Sequence, residues 1–276
     1  MRRVTVIGAT GFVGREFIKY LEGFGYELQC PKREELDDLN GEVGTIVYIA
    51  GYGICDDIHN KLSCVQANSV RLISILKNCK FDRLIYFSST RLYMGSTNSD
   101  ESTDLLLLND DCRRLFNLTK LVSEELCLSF EDAIIVRPSN IYGTALKSPL
   151  FLPSIARDAI KHSRIDMYVT PSYEKDYIDV RDVCVLVEKL ISSKVLKNKI
   201  YNLASGENTM AKDIANVIES ETGAEVLWHD VNKEDTFPVT NISNIVNEFG
   251  FKPKNVLTEL KKMIEDFKCA HKKGMF

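Results

Sequence analysis

The chain of 276 residues has no apolar run that could cross a bilayer; the four leucines at 105–108 fall far short of the ~20 residues a membrane helix needs. A secretory leader is not expected either, because Gly8, Gly11 and Gly14 interrupt the apolar segment behind the two N-terminal arginines. There is no excess of basic charge. Lys plus Arg number 35 against 39 Asp plus Glu, and the net charge of −4 argues against nucleic acid as a partner, since neutralising phosphates needs a basic surface. No C-x-x-C pair occurs among the eight cysteines, which points to reduced thiols in a cytoplasmic protein rather than a disulfide framework. The four histidines, His59, His162, His229 and His271, show no metal-ligand spacing, so no metal is assigned. Internal repeats, low-complexity tracts and long linkers are also missing.

What remains is an ordinary globular composition, 45% hydrophobic and 27% charged, enough for a substantial core. Short apolar runs alternate with helical periodicity over the first 140 residues or so. Strands are expected at 3–9, 26–30, 45–51, 83–89 and 133–139, with helices at 12–22, 69–79 and 113–130 between them. Such alternation specifies an α/β fold, a Rossmann-like, doubly wound parallel sheet covered on both faces. Beyond residue 143 the texture changes. Pro149, Pro153 and Pro171 break up a helical stretch at 151–162, a strand follows at 199–205, and helices near 210–222 and 255–269 come last. The expected organisation is a dinucleotide-binding domain over 1–142 and 176–202, interwoven with a smaller C-terminal substrate lobe over 143–175 and 203–276.

"VIGATGFVG" places Gly8, Gly11 and Gly14 directly after a strand and at the opening of a helix. Without β-carbons, a pyrophosphate can approach main-chain N–H groups at the positive helix end. Gly8, Thr10, Gly11, Phe12, Val13 and Gly14 are therefore candidate cofactor contacts. The second strand ends in "CPKRE", which puts Lys32 and Arg33 where an acidic residue would read the adenosine ribose. Cations there suit a 2′-phosphate, so NADP is preferred and NAD left open; Asp37 is grouped with them as a cofactor contact.

These segments, in this order, resemble the extended short-chain dehydrogenase/reductases, the NAD(P)-dependent nucleotide-sugar epimerase, dehydratase and reductase group. The likeness spans nearly the whole chain: "GATGFVG" at 8–14, "IVYIAG" at 46–51, "YFSSTRLYM" at 86–94, "RPSNIYG" at 137–143, "KDYIDVRDV" at 175–183, "YNLASGE" at 201–207 and "FGFKP" at 249–253. The resemblance implies that Ala50 and Gly51 lie under the cofactor and that Ser89 or Thr90 bonds the reacting sugar oxygen. It implies further that Lys120 holds the nicotinamide ribose, that Pro138 lies against the nicotinamide, and that Asn140 and Tyr177 serve the substrate side. Lys175 and Lys233 take the places of two arginines that grip the sugar-nucleotide diphosphate. A lysine supplies charge there without the bidentate fork.

One position departs from the pattern. The resemblance calls for tyrosine four residues before Lys120, where i and i+4 share a helix face, and the chain has Phe116. Tyrosinate would accept the hydroxyl proton as hydride leaves; phenylalanine has no proton to give. Replacement candidates by sequence proximity are Tyr93, Asp110, Asp111 and Cys112, although the two aspartates also read as helix caps. The expected function is an NAD(P)-dependent enzyme acting on a nucleotide-activated sugar, leaning to a 4-keto-sugar reductase with an altered proton path. An NAD-dependent epimerase or dehydratase, and a non-catalytic nucleotide-binding protein, are the alternatives. A homodimer through the 113–130 helix is also expected.

Overall fold

The structure, a computed structural model, describes residues 2–230 and 235–276. Its centre is a six-stranded sheet in the order Ile200–Leu203, Ala133–Pro138, Arg83–Phe87, Thr45–Tyr48, Arg3–Ile7, Glu27–Gln29. All its pairings are parallel, with Val6 opposite Val47, Val47 opposite Ile85, and Ile85 opposite Ile134. Because side chains alternate along each strand, the sheet feeds two cores. Val4, Val6, Val47, Ile85 and Val136 pack on one face with Phe17 and Leu21 of the Phe12–Leu21 helix and Val183, Val187 and Leu190 of the Val180–Ser192 helix. On the opposite face Ile46, Tyr48, Leu84, Tyr86 and Ile135 meet Leu72, Ile75 and Cys127.

The strand order reverses on either side of Arg3–Ile7, since the chain runs outward first to Glu27–Gln29 and then to Thr45–Tyr48 on the other side. At such a switch point the loops leaving the carboxyl ends of the two neighbouring strands diverge and open a crevice. A second, three-stranded sheet joins Asn140–Tyr142 in parallel and Asn208–Met210 in antiparallel to Glu174–Asp179. Beyond it the helices Phe151–His162, Ala211–Thr222 and Val256–Lys272 build a separate core around Leu152, Ile214, Leu260 and Phe267.

The doubly wound parallel sheet is as expected; three local features are not. The helix expected to begin at 69 begins at Ile58, where Asp57 caps it by accepting from the Asn60 amide at 2.7 Å. A π-turn at Gln66–Val70 then carries it into Arg71–Asn78. Its middle holds the buried polar residues Asn68 and Ser69, which break the apolar periodicity. Val180–Ser192 is a full helix, N-capped by Asp179, whose side chain accepts from the Arg181 amide. Finally, Ile245 and Phe251 join the first core, so the chain returns to the dinucleotide side within the stretch assigned to the substrate lobe. Among the described residues no helix is long and apolar enough to cross a membrane.

Candidate active site

A cleft of about 1000 Å³ opens at the carboxyl edge of the central sheet, running from Val13 and Gly51 past Lys120 to Lys175 and Phe237. Next to Val13, where the cleft begins, lies a turn made of backbone. Gly8 turns the chain at φ 95°, and a β-carbon there would lie 2.6 Å from the Ala50 amide nitrogen; one on Gly14 would lie 2.2 Å from the Gly8 carbonyl oxygen. Ala50 is thus packed directly under the turn. Gly11 caps the Phe12–Leu21 helix with no side-chain cap bond, and the first helical turn has no acidic residue. Uncapped amides at a helix N-terminus suit a pyrophosphate. Phe12 and Val13 are half-buried against the first core, while Thr10 is exposed. The turn fits a dinucleotide, which supplies or accepts hydride when bound.

The segment after the Glu27–Gln29 strand carries both signs of charge. Lys32, Arg33 and Asp37 are exposed. A recess beside them is lined by Glu35 and Asp38, and Glu35 accepts from the Lys32 amide at 2.7 Å.

Lys120 lies at the floor of the cleft, on the Arg114–Leu128 helix, 4% exposed. Its Nζ donates to the Phe87 carbonyl at 2.7 Å and to the Tyr86 hydroxyl at 3.2 Å, which leaves a third N–H beside Gly51. Burial pulls its pKa down to about 8. Ser89 starts the turn Thr90–Tyr93, its hydroxyl accepting from the Arg91 amide at 3.1 Å, and Thr90 donates to the Pro138 carbonyl at 3.3 Å. Ser89, Thr90, Lys120, Pro138 and Asn140 all line the one cleft.

Tyr93 lines the cleft. Its hydroxyl donates to Asn202 and accepts from Arg137, each at 2.8 Å, inside a buried network that includes the Arg137–Glu124 ion pair at 2.6 Å. Commitment on both sides argues against its serving the sugar oxygen in place of a phenol at 116. Asp111 is not the helix cap expected, since Arg113 holds that position without a side-chain cap bond; Asp111 accepts from the Arg113 amide, pairs with Arg91 at 2.6 Å and accepts from Asn117. Cys112 is exposed at the cleft wall.

On the substrate side Asn140 donates to the Asp176 carbonyl at 2.8 Å, and Tyr177 is buried behind it. Lys175 stands between two aromatic rings, Tyr173 and Phe237, each centred 5.1 Å from its Nζ. Burial, and then repulsion from Arg91 and Arg113, lower its pKa to about 8, against the opposing pull of Asp235. No salt bridge neutralises it among the described residues. Lys233 lies outside the described residues.

The structure adds residues that sequence reading missed. Arg91, held by Asp111 and by Asp235 at 2.9 Å, and Arg113 both line the cleft. So does Ser88, whose buried hydroxyl has no hydrogen-bond partner. Nothing in the local pattern marks the two arginines, which look like surface charge until the fold turns them inward. Ser88, next to the candidate Ser89, was within reach of the same motif.

The sequence matches the family described as NAD dependent epimerase/dehydratase family over residues 4–204. GDP-L-colitose synthase of Yersinia pseudotuberculosis is 20% identical to it, over 91% of this chain and 93% of that protein. Among solved structures, RMD from Pseudomonas aeruginosa complexed with NADPH superposes with a TM-score of 0.80 at 20% identity, covering 98% of this chain and 99% of that one. MoeE5 in complex with UDP-glucose and NAD gives a TM-score of 0.80 at 16% identity, over 99% and 100% of the two chains.

Proposed function

The chain belongs to the NAD dependent epimerase/dehydratase family, and from that premise we propose that this enzyme reduces a keto group, most simply at C4, on a nucleotide-activated sugar. One observation carries the reading. A single cleft runs from Val13, in the first turn of the helix that the glycine turn opens and whose end is uncapped, past Lys120 to Lys175, a desolvated cation suited to a diphosphate. Within it Lys120 would hold the nicotinamide ribose with its spare N–H, Pro138 would lie against the ring, and Ser89 and Thr90 would hold the sugar. Asn140 and Lys175 would face the diphosphate. The names of two similar proteins support the substrate class, one complexed with UDP-glucose and one a GDP-L-colitose synthase.

The preference for NADP rests on Lys32 and Arg33 at the end of the second strand, with cationic side chains to meet a 2′-phosphate. A reductase consumes exchangeable NADPH, whereas an epimerase or dehydratase recycles a retained cofactor. Denaturing the purified protein and identifying the released nucleotide separates them. A clear supernatant, with NADPH oxidised on adding keto-sugar nucleotides, supports the reductase; one equivalent of bound NAD sinks it.

Phe116 favours a second reading, a nucleotide-binding protein without turnover. Phe116→Tyr decides: a large gain from a silent wild type supports it, and wild-type turnover excludes it. A homodimer in the cytoplasm is the proposed state, supported by Val122 and Leu128 exposed on the Arg114–Leu128 helix beside Ile58 and Leu62, and by eight free thiols. Light scattering during size exclusion tests the first part.

A further inference from the structure

Position 116 has lost a phenol, but the space around it is organised. Arg113, one helical turn earlier, lays its guanidinium on the Phe116 ring, with Cζ 4.7 Å from the ring centroid. Its Nε donates to the Gly53 carbonyl at 3.1 Å. A β-carbon on Gly53 would lie 2.6 Å from Arg113 Nη2 and 3.7 Å from Phe116 Cε2. The three residues therefore fit as a set: a bare backbone opens the seat, an aromatic face floors it, and the cation occupies it.

Two further observations give the seat a direction. The guanidinium lines the same cleft as Ser89, Phe116 and Lys120. Its terminal nitrogens have no hydrogen-bond partner among the described residues. Asp111, two residues away, bonds only the Arg113 backbone amide and directs its carboxylate to Arg91 and Asn117. A guanidinium stays charged at any working pH, so these donors are permanent.

We propose that Arg113 is the catalytic residue standing in for the phenol, its terminal N–H groups holding the reacting sugar oxygen as charge develops on it. The inference rests on the keto-sugar reductase reading above. A reduced nicotinamide dinucleotide supplies the hydride. As the new C–H bond forms at the keto carbon, the carbon–oxygen π pair moves onto oxygen, and Arg113 stabilises that alkoxide. A water molecule then gives the oxygen its proton and leaves as hydroxide. Arg113 keeps all its protons, a stabiliser of charge rather than an acid. Phe116 belongs to the same device, because its ring holds the guanidinium without offering a competing hydroxyl.

The test uses the full chain with NADPH and a panel of UDP-, dTDP- and GDP-linked 4-keto sugars, comparing wild type, Arg113→Lys, Arg113→Ala and Gly53→Ala. The Gly53 variant moves the guanidinium without altering it; the added carbon crowds the far end of a flexible side chain and meets Phe116 Cε2 only at an ordinary 3.7 Å, so the fold survives. Arg113→Ala and Gly53→Ala should lower kcat by about 10²–10³-fold, the usual cost of removing one oxyanion donor. Arg113→Lys should lie between, and added methylguanidinium should restore part of the Arg113→Ala rate. Calorimetric affinities for NADPH and for the free nucleoside diphosphates should stay at wild-type values. An unchanged kcat in Arg113→Ala overturns the proposal alone, as does a loss confined to KM and diphosphate affinity, which would make Arg113 an anion grip. A wild type that binds NADPH yet turns over nothing in the panel brings down the reductase reading and this proposal with it.

Discussion

The two ends of the cleft are built from different materials. Beside Val13, where the dinucleotide is proposed to sit, the surface is main chain: Gly8, Gly11 and Gly14 within seven residues, laid over Ala50 at the sheet's switch point. At the other end, where the sugar nucleotide is proposed to sit, it is side chain: Arg91, Arg113 and Lys175, drawn from three distant segments and gathered closely enough to repel one another. A backbone site tolerates almost no added atom but has little charge to lose. A side-chain site tolerates reshaping, yet every cation in it costs desolvation until an anion arrives.

The largest effect should come from adding bulk to the main-chain end. Gly14→Val drives atoms into the Gly8 carbonyl and should abolish dinucleotide binding in calorimetry, with nucleoside diphosphate binding retained. Loss of both together would mean that the two ends are not independent. Lys120→Met removes the charged donor between them. Dinucleotide affinity should weaken ~10–100-fold, the usual worth of one charge-assisted bond, as read by fluorescence titration with NADPH.

Lys175→Met should act in opposite senses on binding and stability. Nucleoside diphosphate affinity should fall about tenfold, while the melting temperature of the free protein rises because a half-buried cation with no salt bridge among the described residues has gone. A lower melting temperature would show that the two flanking rings already compensate the charge. The same residue fixes a pH dependence. Its folded pKa of about 8 lies below the 10.5 of a free lysine, so its charge penalises the folded state below about 8, and that penalty lifts as pH rises through 8 toward 10.5. Diphosphate affinity should decline over the same rise, with a midpoint somewhat above 8 because a bound anion pulls the pKa up. Lys175→Met should flatten that decline; an unchanged slope assigns it elsewhere.

Tyr93→Phe should matter least to turnover. Removing a hydroxyl already paired with Asn202 and Arg137 should cost about 1 kcal/mol of stability and leave kcat within about threefold of wild type. A hundredfold loss of kcat would return Tyr93 to the list of proton donors.

The legibility of the two ends in the sequence follows the same division. The glycine turn and the strands around it could be read because their signal is local: a buried run, three glycines, then an amphipathic helix. Ser89, Lys120 and Asn140 were legible through a motif order, and the fold brings them to one cleft. The helix opening at Ile58 was hidden because its inner face is lined by Asn68 and Ser69, which hydrogen-bond the Arg114–Leu128 helix rather than pack as apolar residues. Arg113 looked like one of two adjacent arginines at a helix start, and Arg91 like a stray charge after a strand.

By itself, then, the sequence determined the alternating strands and helices of a parallel sheet, the glycine turn and the absence of a phenol at 116, since each depends on residues a few positions apart. Only the tertiary structure decided what surrounds that absence. It tied the hydroxyl of Tyr93 at the cleft wall into a buried network and seated Arg113 on the Phe116 ring against Gly53, a residue sixty positions earlier. The physical reason is that backbone geometry is set by neighbours along the chain, whereas the meeting of a cation, a ring and a bare carbonyl is set by how whole elements pack.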